Sequence, residues 1–118
     1  MVKVPKSKRH PKKLEATAGG TEPVREWLKG LDTDDRKIIG DDIATVEFGW
    51  PIGMPLCRPL GGGLFEVRST LPDNRIVRVL FCTAKGQLVL LHGLEKKSQK
   101  TPASDLALAK TRMKEIAK

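Results

Sequence analysis

Residues 64–100 read LFEVRSTLPDNRIVRVLFCTAKGQLVLLHGLEKKSQK, and the spacing of their turn residues sets the architecture. Three apolar runs, 64–71, 76–82 and 87–96, each have the length of a strand. The breaks between them carry Pro72, Asp73 and Asn74, then Lys85 and Gly86, residue types that tolerate the backbone conformations of a chain reversal. Two short reversals in succession predict an antiparallel meander, because a parallel neighbour needs a long crossover. By strict alternation Leu64, Glu66, Arg68 and Thr70 share one face of the first strand. Ile76, Arg78 and Leu80 share one face of the second, and Leu88, Leu90, His92 and Leu94 one face of the third. Both faces are largely apolar, so helices are expected to cover the sheet.

Upstream, Val24, Trp27, Leu28 and Leu31 recur at the spacing of a helix face, with Pro23 suited to the first turn. Asp32 or Thr33 can cap a second helix whose Ile39, Ile43 and Val46 form an apolar stripe ending near Gly49. Trp27 is the expected anchor onto the sheet. Downstream, Thr101 and Pro102 read as N-cap and first helical residue, followed by Leu106, Ala109, Met113 and Ile116 on one face. A short edge strand over 14–17 is a further expectation. Residues 53–63 read as a connector, and Gly61-Gly62-Gly63 lacks the Lys-Ser or Lys-Thr and the helix of a phosphate-binding loop.

With 118 residues, 39% of them apolar, the chain suits one core. Residues 1–13 read as a basic flexible arm and residues 14–118 as the domain. No apolar run spans a bilayer, and no apolar segment follows the basic start, so the expected location is the cytoplasm, with no membrane partner. Cys57 and Cys82 are expected as free thiols, with a mutual disulfide as the alternative. They have no metal-ligand spacing and His10 stands apart, so neither a metal nor another cofactor is expected.

The net charge of +8 is unevenly distributed: residues 1–13 carry +6, residues 14–53 carry −5 and residues 54–118 carry +7. That asymmetry points to a polyanionic partner, most simply nucleic acid. Arg68 and Arg78 interrupt apolar strands and must reach an anion, a carboxylate or solvent, with Glu66 as the internal alternative. His92 is a candidate for proton transfer near neutral pH, or else a hydrogen-bonded strand residue. Lys96, Lys97 and Lys100 cluster where the third strand gives way to the last helix.

The ordered segments MPLCRPLGGGLFEVR, RIVRVLF, VLLHGLEKKSQKTP and LALAKTRMKEI, preceded by EPVREWLKGL, resemble the RelE/HigB-like toxins of toxin–antitoxin pairs, in their phage-derived toxin-like subgroup. The resemblance implies an α/β (α+β) domain of RelE-like fold: a small antiparallel sheet with two N-terminal helices on one face and a C-terminal helix. It implies a ribosome-dependent endoribonuclease that cleaves mRNA and is silenced by a helix-turn-helix antitoxin. Arg68, Arg78, His92, Lys96 and Lys97 fall on the family's catalytic positions, with Lys100, Arg58 and Arg75 as RNA contacts. Val77 stands where the subgroup commonly has Tyr and Leu94 where it has Phe, and the chain contains no tyrosine. Loss of an aromatic platform removes about 1–3 kcal/mol of stacking per base. Two further readings therefore accompany the nuclease: a same-fold toxin acting on DNA gyrase, and a non-enzymatic protein that binds antitoxin or RNA.

Overall fold

The computed structural model describes residues 12–14, 23–49, 56–84, 87–95 and 101–116, apart from the side chains of 12–14, 23 and 87. The elements in chain order are β1 (Lys12–Leu14), α1 (Pro23–Lys29), α2 (Thr33–Gly49), β2 (Cys57–Gly61), β3 (Leu64–Leu71), β4 (Arg75–Ala84), β5 (Gln87–Glu95) and α3 (Ala103–Ile116). They build one α+β sheet in the order β1-β5-β4-β3-β2. The expected meander is present: β3 pairs antiparallel with β4, and β4 with β5. Between β3 and β4, Asp73 and Asn74 adopt positive φ of 66° and 59°, a region these side chains tolerate better than most.

Two strands at the sheet edges differ from the sequence reading. The N-terminal edge strand forms at Lys12–Leu14, earlier than expected, and runs parallel to β5. Part of the expected connector is a strand, β2, antiparallel to β3. Pro59 masks it in sequence, because a residue without an N–H is compatible with strand structure mainly at an edge, which is where β2 lies. Gly61, Gly62 and Gly63 make its turn into β3 with φ of 93°, 65° and 88°. Residues with a β-carbon rarely adopt those values, so the glycines serve the turn rather than an anion.

The helices divide between the two faces. Val24, Ile39, Ile43 and Val46 of α1 and α2 bury against Cys57, Val67, Val77, Val79, Phe81 and Leu90, with Trp27 and Leu28 packed on the same layer. α1 lies over β5 and α2 over β3. α3 covers the opposite face, where Ala109 meets Leu64, Leu80, Cys82, Val89, Leu91 and Leu94, flanked by Leu106 and Met113. Only Ala109 of α3 is fully buried, against three large aliphatic residues of α2, so α3 is the more weakly attached cover. α3 also starts later than expected: Leu106 N–H donates to the Pro102 carbonyl at 3.0 Å, which puts Pro102 in the capping position. The two cysteines are buried free thiols. Among the described residues no helix is long and apolar enough to cross a membrane.

Candidate nucleic-acid interface

The sheet face beneath α3 collects the charged residues. Across it, Arg58 of β2 stands opposite Glu66 of β3, Glu66 opposite Leu80, and Leu80 opposite His92. The next row on this face pairs Arg68 with Arg78, and Arg78 with Leu94. Three arginines and one glutamate thus occupy neighbouring positions of one surface. Like charges directly opposed across a ladder repel, so the Arg68–Arg78 pair requires a compensating anion. Glu66 supplies it for Arg78: Oε2 lies 3.2 Å from Nε, with both side chains at most 1% exposed. The Thr101 hydroxyl donates to the other Glu66 oxygen at 3.5 Å, tying the start of the C-terminal helical region to the pair.

Arg68 is in a different situation. It is half-buried, and among the described residues it makes no ion pair. It lines an open cleft of about 400 Å³ together with Asp42, Leu56, Thr70 and Ile76. The cleft lies beyond the first residue of β2, Cys57, which stands opposite Val67; among the described residues the Arg68 N–H to Leu56 carbonyl bond of 2.8 Å continues the contact there. The exposed Arg58 lines a second, smaller hollow of about 180 Å³ with Leu60, Thr101 and Leu106.

His92 reaches this face because the ladder is irregular. Leu80 pairs with His92 and Phe81 with Leu90, so Leu91 is an inserted residue. Strict alternation grouped Leu88, Leu90, His92 and Leu94 together. The bulge instead sends Leu88 and Leu90 to the α1–α2 side, while Leu94 joins Leu91 under α3. His92 meets α3 directly: its Nε2 is 2.6 Å from Asp105 Oδ1, and Arg112 approaches its Nδ1 at 3.4 Å while donating to the Leu91 carbonyl at 2.7 Å. Arginine only donates, so Nδ1 is the accepting nitrogen of this arrangement and Nε2–H donates to Asp105. Both ring nitrogens are thus engaged in holding α3 to β5.

Arg75 lies apart from this face. It forms a two-pronged pair with Asp35 at the start of α2, at 2.9 and 3.1 Å, approaches Glu95 at 3.5 Å, and donates to the Pro72 carbonyl. The hydrogen bonding it donates to Asp35, more than any other influence, holds its guanidinium above its already high ordinary pKa. Arg75 therefore joins α2 to the β3–β4 turn.

The sequence-predicted residues accordingly separate. Arg58, Arg68, Arg78 and His92 share the face, with Arg78 sealed in an ion pair and His92 bonded to α3. Arg75 is on the other side, and Lys96, Lys97 and Lys100 lie outside the described residues, between Glu95 and Thr101. The sequence reading did not single out Asp42, Asp105 or Arg112. Asp105 carried a signal, an acid in the first turn of α3, whereas Asp42 and Arg112 are recognisable only from what they face. Among the described residues no group of three His, Cys, Asp or Glu side chains is arranged to hold a metal ion.

A family model described as "Phage derived protein Gp49-like (DUF891)" matches residues 26–114, most of the chain. No curated protein matches it.

Proposed function

The chain belongs to the Gp49-like family of phage-derived proteins, and from that membership we propose that it is a toxin of the RelE/HigB type that cleaves mRNA on the ribosome and is held inactive by a helix-turn-helix antitoxin. The observation that carries the reading is Arg68, a half-buried cation lining an open cleft without a carboxylate partner among the described residues. A planar guanidinium there suits a phosphate, on which charge accumulates as a phosphodiester is cut. RNA brings its own nucleophile: the 2′-oxygen bonds to phosphorus and the 5′-oxygen departs. Arg68 stabilises the added charge, and Arg58 holds the strand alongside.

Arg78 acts through the fold. Its pair with Glu66 neutralises the second arginine of the row and leaves the charge of Arg68 for a ligand. His92 fixes α3. Proton transfer then falls to Lys96 or Lys97, with Lys100 as a further phosphate contact. The engagement of both His92 nitrogens favours one second reading, a protein that binds RNA or antitoxin without cutting.

Purified protein incubated with programmed ribosomes, with mapping of new mRNA 5′ ends, tests the proposal. Wild type and an Arg25→Ala variant on α1 cut, whereas Arg68→Ala does not, although it folds. Absence of cleavage by wild type with binding retained favours the non-enzymatic reading. Loss of DNA supercoiling activity instead of mRNA favours gyrase as target.

A further inference from the structure

The cleft beside Arg68 has a second charged wall of opposite sign, which a phosphate site alone does not need. Asp42, half-buried on α2, lines it across from β3, and among the described residues neither Asp42 nor Arg68 forms an ion pair. An acid and a base that share one cleft without neutralising each other suit a ligand with an anionic end and a hydrogen-bond-donating end. Leu56 and Ile76 add apolar lining to the cleft, and the exposed Thr70 a hydroxyl-bearing residue. The volume of about 400 Å³ exceeds that of a single nucleobase and is within the range of small-molecule sites.

We infer that this cleft receives a guanine base of the RNA strand, with Asp42 reading its Watson–Crick edge while Arg68 holds an adjoining phosphate. The inference rests on the RNA-directed reading of the same site. A carboxylate only accepts hydrogen bonds, and it accepts two side by side. Guanine alone among the four bases presents two adjacent donors, N1–H and the N2 amino group. Adenine and cytosine each set an amino donor beside a ring acceptor, and uracil sets its single N–H between two carbonyls. Against those three bases, one Asp42 oxygen faces an acceptor or nothing. Leu56 and Ile76 bracket the base with aliphatic surface, which replaces aromatic stacking in a chain that has no tyrosine.

Titration of the full chain with the four ribonucleoside 3′-monophosphates, followed by NMR at the Ile76 and Leu56 methyl groups, tests this. The guanosine nucleotide binds about tenfold more tightly than the other three, the discrimination expected of one two-pronged contact. Asp42→Asn, which keeps the shape of the side chain, removes that preference, whereas Arg68→Ala weakens all four nucleotides alike. Equal binding of the four by wild type, or an undiminished guanosine preference in Asp42→Asn, overturns the inference. Guanosine selectivity in a protein that never cuts ribosome-bound mRNA supports the base site and removes the nuclease reading. Cleavage that Asp42→Asn leaves with unchanged base preference does the reverse.

Discussion

The indole of Trp27 occupies the space that a side chain at residue 93 would need. A β-carbon placed on Gly93 would stand 2.3 Å from Cε3 of Trp27, 2.4 Å from Cζ3 and 2.7 Å from Cδ2. Gly93 lies opposite Val79 in the ladder, so its lack of a side chain opens a slot on the sheet surface, and α1 fills the slot with its aromatic residue. The strand requires glycine here for close approach rather than for an unusual backbone angle.

Gly93→Ala is therefore expected to destabilise the protein by about 1–3 kcal/mol, the range for overpacking a well-filled core. Trp27→Ala removes a half-buried side chain and should cost about 3 kcal/mol, the low end for deleting a large aromatic. In the double variant the alanine at 93 no longer meets the ring, so its own penalty disappears. Urea midpoints of the four proteins measure this coupling, and additive losses would show that the ring can move aside.

The Glu66–Arg78 pair gives a second expectation. Both groups are removed from water, so deleting one strands a charge, at a cost of about 3–5 kcal/mol. Arg78→Met should unfold at lower denaturant concentration, and pairing it with Glu66→Leu should restore much of the loss. Loss of the proposed toxin activity in Arg78→Ala would thus report on folding as well as chemistry. Burial of the guanidinium implies that this substitution disturbs the fold. Near-identical midpoints for wild type and Arg78→Met would refute the structural role.

How much of this was legible follows from the range of each interaction. β3 matches its expected bounds because alternation and the Pro72-Asp73-Asn74 turn are local signals. β2 was hidden by Pro59 and the glycines that follow, residues that read as loop unless an edge position is known. The bulge at Leu91 was invisible because Leu88 to Leu91 are apolar whichever way they face, so a one-residue slip leaves no polar mark. Arg68 and Arg78 looked equivalent in sequence, and only the diagonal reach of Glu66 separates a sealed arginine from an open one. Asp42 faces its cleft through α2 packing on β3, which no spacing within the helix reveals.

Arg75 offers a contrast within the same set of cations. Its carboxylate partner Asp35 is only 4% exposed, so removal of Arg75 leaves a nearly buried acid without its donor. Arg75→Ala is expected to lower the melting temperature yet leave the proposed RNA binding unchanged, the opposite of Arg68→Ala. Asp35→Ala should destabilise too, and the double variant should lose less than the sum of the two. A salt-dependent loss of the proposed RNA binding in Arg75→Ala, at unchanged stability, would return this residue to the candidate interface.

The buried thiol of Cys57 makes stability depend on alkaline pH. Its side chain is 2% exposed, and burial, followed by the negative charge of Glu66, pushes its pKa from 9.0 up to about 11. Between those values the unfolded chain has released the thiol proton and the folded chain still holds it, so raising the pH draws the equilibrium toward unfolding. The stabilisation associated with the protonated thiol is complete below pH 9 and is lost as the pH rises through the folded value. Its upper limit is about 2–3 kcal/mol over that interval, at about 1.4 kcal/mol per pH unit. Lysines also titrate there, so the informative quantity is the stability of wild type minus that of Cys57→Ala, followed by urea unfolding from pH 8 to 11. That difference should move against wild type as the pH rises, and a flat difference would mean that the folded chain ionises Cys57 as readily as the unfolded one. Alkylation gives an independent check: native Cys57 should react with iodoacetamide at pH 8 far more slowly than the same thiol in urea, because the thiolate is the reacting species and the fold suppresses it.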